Sequence, residues 1–285
     1  MHDIAIIIPV YKVLSEDRFH QFKNLLQKIT LNFQSDDSFL EKIIVVNDYP
    51  LDKIEEPVRE LFKKNGLIDK LLILTNDTNR GQAYSRNRAV EYTKAEYLHF
   101  IDQDDFINPV FYENMLQSGK DFVLSNILLI LEDGSREYRY LKKRLIRKFK
   151  NSDSIRQLRI LLFSNISFSP GQYIIRRHVF EEIGKFPDLE NKGADDYGLF
   201  FNMVIKGNIG FEFKPQAIFY YRIHPIQSKN NLDMTYSLKE FFKGVVVSRK
   251  PFFFRLVALF KTSGILEIFN TVLMRSLYFK STPKF

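Results

Sequence analysis

The chain has 285 residues, 45% of them hydrophobic, and no low-complexity tract, which is enough to bury a large core. It has no cysteine, which excludes disulfides and thiolate metal sites and is compatible with a reducing compartment. The net charge of +8 is uneven: residues 136–150 and 239–285 carry +7 each, leaving the remainder acidic by six, a pattern that suggests anionic partners at defined surfaces.

The N-terminus lacks the basic segment and long apolar run of a signal peptide, and no apolar stretch approaches the ~18 residues of a membrane span. A cytoplasmic protein is expected. Ile4-Ala5-Ile6-Ile7-Ile8-Pro9-Val10-Tyr11 reads as a strand buried on both faces. Phe19, Phe22, Leu25, Leu26, Ile29 and Phe33 then recur at helical spacing, after Ser15-Glu16-Asp17 as cap and first-turn acids. Ile43-Ile44-Val45-Val46 is a second strand ending in Asn47-Asp48-Tyr49-Pro50. Asp52 and Glu55 have the spacing of a capping box for the next helix, which Gly66 closes. Leu71-Leu72-Ile73-Leu74 is a third strand, and Asn79-Arg80-Gly81 leads into a helix over residues 82–93.

Tyr97-Leu98-His99-Phe100-Ile101 reads as a short buried strand that stops in Asp102-Gln103-Asp104-Asp105, and Pro109 prevents return to a central ladder. On an extended backbone Asp102 and Asp104 would point the same way, and two like charges so placed repel unless a cation lies between them. Oxygen-only ligands suit Mg2+ or Mn2+, and Mg2+ is usually shared with substrate phosphates. The plainer alternative is a solvated acidic turn capping the next helix. Four alternations of strand and helix predict a parallel sheet with helices on both faces, with ligands bound beyond the carboxyl ends of the strands.

These residues resemble the nucleotide-sugar glycosyltransferases of family 2, which have the Rossmann-like GT-A fold. The resemblance spans residues 3–230 and rests on ordered motifs: Ile6-Ile7-Ile8-Pro9-Val10-Tyr11, Val45-Val46-Asn47-Asp48, Asn79-Arg80-Gly81-Gln82-Ala83-Tyr84-Ser85-Arg86-Asn87, Asp102-Gln103-Asp104-Asp105, Asp195-Asp196-Tyr197-Gly198-Leu199 and Tyr221-Arg222-Ile223-His224. It implies donor binding by Pro9, Tyr11, Asp48, Arg80, Asp102 and Asp104. A divalent metal, Mn2+ or Mg2+, is implied at Asp102 and Asp104 with His224. Where the family usually reads Asp-Asp-Gly-Ser, this chain reads Asn47-Asp48-Tyr49-Pro50, and Asp48 can still accept from a uracil imide. Arg80 and Arg86 either approach the diphosphate or stay on the surface as helix cations, and Asp105 is expected only as a helix cap.

Residues 121–131 read as one or two strands, and Asp133-Gly134-Ser135 as a hairpin turn. The basic run after it is open to three readings: a solvated helix face, a membrane-contacting helix, or a patch for an anionic acceptor. Ser169-Pro170-Gly171-Gln172-Tyr173 resumes a strand, with exposed backbone expected at Gly171 on the acceptor side. Asp195 replaces the family's Glu beside the acceptor, and Asp196 is the implied general base. Residues 236–285, rich in Phe and basic side chains, read as a helical appendage, either packed on the catalytic domain or lying on an anionic membrane.

The resulting expectation is a GT-A catalytic domain over residues 1–235, with a nucleotide-sugar half (1–110) and an acceptor half (111–235), followed by the appendage. Its activity would be inverting transfer from a UDP-sugar to a glycan or lipid-linked acceptor, at the cytoplasmic face of the membrane. A sugar nucleotidyltransferase resembles it, but that class has a Gly- and Arg-rich loop after the first strand, where this chain has Pro9-Val10-Tyr11-Lys12. A nucleic-acid binder using the basic run would leave the paired acids unexplained, so no nucleic-acid partner is expected.

Overall fold

A sheet runs through the centre of the molecule, and the alternation of its residues divides the core in two. The computed structural model describes residues 2–131, 135–138, 167, 169–187, 195–207 and 209–223. In chain order the strands are β1 (Ile4–Val10), β2 (Leu40–Asn47), β3 (Leu71–Thr75), β4 (Tyr97–Phe100), β5 (Phe106–Ile107), β6 (Phe122–Ile130), β7 (Arg136–Tyr138), β8 (Tyr173–Arg176) and β9 (Phe211–Arg222). The helices are α1 (Glu16–Phe33), α2 (Glu55–Lys64), α3 (Gln82–Val90), α4 (Phe111–Leu116), α5 (Arg177–Glu182) and α6 (Asp195–Lys206).

Successive residues of β1 face opposite ways. Ile4, Ile6, Ile8 and Val10 join a core with Phe22, Leu25 and Ile29 of α1, Val58 and Phe62 of α2, and Phe111 and Met115 of α4. Ala5 and Ile7 join the other core, with Ala89 and Val90 of α3, Val179 and Phe180 of α5, and Leu199, Phe200 and Met203 of α6. Helices thus cover both faces, as the uninterrupted apolar strands require. Burying each Leu, Ile or Phe contributes about 1.5–3 kcal/mol.

The strand order is β3-β2-β1-β4-β8-β6-β9-β5, with β7 paired to β6. The first four strands are parallel, as expected from the sequence. The later half is mixed: β8 is antiparallel to β4 and to β6, while β9 is parallel to β6. Residues 122–130 form one strand, which makes an antiparallel hairpin with β7. The β6–β9 register breaks between Ser125, opposite Lys214, and Asn126, opposite Ile218, around Pro215, which has no N–H to give the ladder.

The expected capping box does not form. Helix α2 starts at Glu55 after Ile54, and the Asp52 carboxylate accepts from the Leu14 backbone N–H (3.4 Å), drawn into the loop that follows β1. Gly66, with φ 70°, closes α2 as expected. Among the described residues no helix is long and apolar enough to cross a membrane. His224, the basic run beyond Tyr138 and the appendage at 236–285 lie outside the described residues.

Candidate active site

The order 3-2-1-4 reverses direction at β1, and in sheets of this kind ligands bind beyond the carboxyl ends of the strands at such a reversal, here those of β1 and β4. The two strand ends are tied together there. The Tyr11 N–H donates to Gln103 Oε1 (3.0 Å), and Gln103 Nε2 donates to the Tyr11 carbonyl (3.3 Å). Tyr11 lies edge-on to Tyr49 at 5.3 Å, with Lys12 Nζ 5.5 and 5.1 Å from the two ring centres. Pro9 is buried within β1 beside Val46.

Asp48 is buried at the end of β2. Its carboxylate accepts from Asn76 Nδ2, the Arg80 N–H and the Gly81 N–H, each at 2.8 Å. A carboxylate has about four acceptor positions, so one remains after the loop before α3 is fixed. Gly81 adopts φ 84°, a conformation that favours glycine, to aim its N–H at Asp48. The Arg80 side chain stays on the surface, with its guanidinium 4.5 Å from the Tyr84 ring centre. Asn47, in place of the family's Asp, is buried and structural: it accepts from the Tyr49 N–H (3.0 Å) and donates to the Asp52 carbonyl (3.1 Å).

The acidic stretch is a turn rather than an extended strand end. The Asp105 N–H donates to the Asp102 carbonyl (3.2 Å), so Gln103 and Asp104 occupy the bend and the same-side geometry expected for Asp102 and Asp104 does not follow from a period of two. Nor is Asp105 a helix cap. It is buried, its Oδ1 accepts from the Arg222 N–H of β9 (3.0 Å), and its Oδ2 has no partner among the described residues. Burial, and after it Asp104 and Asp102, push its carboxyl well above the usual carboxylate range.

Arg86 organises the site. Its side chain is 1% exposed, with Nη2 donating to Asp102 Oδ1 (2.5 Å) and Nη1 to Asp195 Oδ2 (3.0 Å). Nη2 also donates to Gln82 Oε1 (3.2 Å), and the Phe186 ring centre lies 5.4 Å from the guanidinium. Burial works against the charge on Arg86, but Asp102 and Asp195 outweigh it and hold the guanidinium above its ordinary pKa. At Asp102 burial prevails over the pull of Arg86 and raises the carboxyl. One buried cation therefore joins the acidic turn after β4 to the first residue of α6.

On the acceptor side Asp195 and Asp196 open α6, and Asp196 Oδ1 accepts from the Tyr197 N–H (2.7 Å). Gly171 is buried, not exposed as expected. A Cβ there would collide with the Phe219 ring, and its carbonyl accepts from His99 Nε2 (2.9 Å). His99 Nδ1 accepts from the Tyr112 hydroxyl (2.7 Å), and burial lowers the imidazole to about 4. Tyr173 of β8 lies inside, with its hydroxyl unpartnered among the described residues. Burial, followed by Asp196, holds that hydroxyl well above its ordinary pKa, so it stays protonated.

Asp102, Asp104 and Asp105 offer only oxygen, repel one another and include a buried oxygen with no partner, a donor set that fits a hard cation such as Mg2+ or Mn2+. Such ions take one or two carboxylates and substrate phosphates, so a ring of protein ligands is not required. Among the described residues no group of three His, Cys, Asp or Glu forms one.

The structure thus gathers Tyr11, Asp48, Asp102, Asp104, Asp195 and Asp196 around the strand ends and leaves Pro9 and Gly171 inside the core. Sequence reasoning missed Gln103 and Tyr173 and left Arg86 unresolved. For Arg86 a signal existed: Ser85, Arg86, Ala89 and Val90 share one helical face, and that face is the buried one.

The family described as Glycosyl transferase family 2 matches residues 5–184. An uncharacterized glycosyltransferase of Haemophilus influenzae is 24% identical over 228 residues, covering 80% of this chain and 82% of the relative. The minor teichoic acid biosynthesis protein GgaB of Bacillus subtilis is 26% identical over 118 residues, 40% of this chain and 12% of GgaB. Among solved structures, S. aureus TarS in complex with UDP-GlcNAc has a TM-score of 0.66 at 17% identity, with 98% of this chain and 76% of that one covered. The mannosyltransferase PcManGT from Pyrobaculum calidifontis, in complex with GDP-Man and Mn2+, has a TM-score of 0.64 at 15% identity, covering 99% of this chain and 79% of that one. At these identities the likeness shows the fold, which is the GT-A arrangement expected from the sequence.

Proposed function

Because the chain belongs to glycosyl transferase family 2, we propose that it is a metal-dependent inverting transferase that moves a sugar from a nucleoside diphosphate, a UDP-sugar, to a hydroxyl of a glycan or lipid-linked acceptor. The observation that carries this reading is Arg86, which holds the acidic turn and the Asp195-Asp196 pair in one site at the reversal of strand order. The site so joined has a side rich in oxygen ligands and a side with the Asp195-Asp196 acid pair, as displacement of a diphosphate by a hydroxyl requires.

Asp196 takes the proton of the acceptor hydroxyl while that oxygen attacks the anomeric carbon. The bond from that carbon to the diphosphate oxygen breaks on the opposite side, its electron pair leaves with the nucleoside diphosphate, and the configuration inverts. A divalent ion held by Asp102 and Asp104 would stabilise the charge on the leaving diphosphate. The remaining acceptor position of Asp48 suits a uracil imide N–H, and the Tyr11–Tyr49 pair gives the base an aromatic wall. Solved structures of like fold hold nucleoside-diphosphate sugars, one of them with Mn2+, which supports the donor class and the metal.

The test is nucleoside diphosphate release from a panel of UDP-glucose, UDP-galactose, UDP-GlcNAc and GDP-mannose, with Mn2+ or Mg2+ added, in the presence and absence of a lipid extract as acceptor source. Release from at least one UDP-sugar, abolished by a chelator and restored by metal, is the expected result. No release from any donor would overturn the reading.

A further inference from the structure

Three buried side-chain atoms have no hydrogen-bond partner among the described residues: Arg86 Nε, Asp105 Oδ2 and the Tyr173 hydroxyl. All three border the carboxylate site. The first two belong to charged groups that the site needs. Tyr173 is different, because its ring alone would do the packing: it meets Phe122 at 4.7 Å and Phe200 at 5.4 Å between ring centres. Phenylalanine at this position would keep both contacts and remove a buried hydroxyl whose desolvation nothing repays. The hydroxyl lies within electrostatic range of Asp196, Arg86, Asp195 and Asp102.

Helix geometry relates it to one of these. Phe200, the residue of α6 that packs on Tyr173, is four positions after Asp196, so the two share a face of the helix one turn apart. Asp196 therefore stands over the β8 side of the helix, toward the tyrosine. We propose that Tyr173 is a positioning residue whose hydroxyl donates a hydrogen bond to the Asp196 carboxylate in the acceptor complex and fixes its rotamer for proton removal. Catalytic hydrogen bonds are often long before substrate binds and tighten only with it, which accounts for a buried donor left without a partner. The inference rests on the reading of Asp196 as the base.

The experiment compares wild type, Tyr173→Phe, Asp196→Asn, the Tyr173→Phe/Asp196→Asn double variant and Phe200→Leu as a packing control. Diphosphate release is measured with the UDP-sugar that the wild type turns over fastest, together with thermal melting. A hydrogen bond to a charged group predicts that Tyr173→Phe lowers kcat about 10–100-fold. KM for the donor should stay unchanged and the melting temperature should be equal or higher, since an unsatisfied hydroxyl is gone. In the double variant the tyrosine substitution should cause no further loss, because the group it positions is no longer a base. Unchanged kcat in Tyr173→Phe, with Asp196→Asn inactive, overturns the tyrosine proposal alone. Parallel losses of kcat and melting temperature in Tyr173→Phe and Phe200→Leu would make the role structural and also overturn it. Full activity in Asp196→Asn would remove the base itself, and the reading of the reaction would fail first.

Discussion

Replacing Arg86 with Met tests the joint between the two halves of the site. The substitution keeps an unbranched apolar stem but removes the guanidinium and its bonds to Asp102 at 2.5 Å, Asp195 at 3.0 Å and Gln82 at 3.2 Å. Removing one member of a buried ion pair typically costs about 3–5 kcal/mol, because its partners stay behind uncompensated. Here the partners' side chains are 19% and 16% exposed, so water replaces part of what is lost and the low end, about 3 kcal/mol, is expected. That corresponds to a fall in melting temperature of roughly 6–12 °C for a domain of this size. Arg86→Lys should recover only part of this, since an ammonium has no fork to hold two carboxylates at once. Urea unfolding and diphosphate release measured side by side separate the two effects. Activity should fall further than stability alone explains, because Asp195 carries the start of α6 and with it Asp196. A loss below about 1 kcal/mol with full turnover would refute the argument that Arg86 holds the site together.

Asp104→Ala is expected to abolish metal-stimulated diphosphate release while leaving the melting temperature close to wild type, and full activity in excess chelator would sink the metal assignment. Asp196→Asn should lower turnover by about 10²–10⁴-fold, the usual contribution of a general base, with donor affinity by calorimetry nearly unchanged. His99 is held neutral with its pKa lowered to about 4, against 6.5 in the unfolded chain. The unfolded state therefore binds the extra proton in that window, and the contribution of His99 to stability, about 3 kcal/mol, is present above pH 6.5 and lost as the pH falls toward 4. NMR titration should show the His99 ring unprotonated at pH 5, and a midpoint near 6.5 in the folded protein would refute this. Full-length protein is expected to co-sediment with anionic liposomes and to be released by salt, and a chain ending near Asp233 is not; equal behaviour of the two removes the membrane role given to residues 236–285.

The parallel half of the fold was legible because β1, β2, β3 and β4 are each built on an apolar run and the helices between them keep a helical period. The later half was not. β5 has two residues, β7 has three, and β9 contains a proline and alternates weakly, so their pairing is decided by tertiary contact rather than by pattern. The acids were legible as acids, but their geometry was not: that Asp102–Asp105 forms a turn depends on the Asp105 N–H to Asp102 carbonyl bond. Gly171 was misread because a glycine suggests open backbone, whereas here it admits the Phe219 ring. Tyr173 gave no signal at all, since an aromatic residue in a buried strand is ordinary and only its unpartnered hydroxyl sets it apart.

The distribution of satisfied and unsatisfied groups separates scaffold from site. Among the described residues, buried polar side chains away from the acidic turn are paired within the chain: His99 to Tyr112 and Gly171, Gln172 to the Ser125 carbonyl, Asn76 to Asp48 and Ser85. Around Asp102 the pattern reverses, with Arg86 Nε, Asp105 Oδ2 and the Tyr173 hydroxyl left without partners. Each such group costs about 1–3 kcal/mol, a large part of the stability of an ordinary domain. Concentrating that cost in one place makes sense where substrate binding repays it: the proposed diphosphate and cation at Arg86 and Asp105, and the Asp196 carboxylate of the acceptor complex at Tyr173. A stabilised variant should therefore be easiest to obtain by isosteric substitution at Asp105 or Tyr173, where no ion pair is lost, and each gain should come with a loss of turnover.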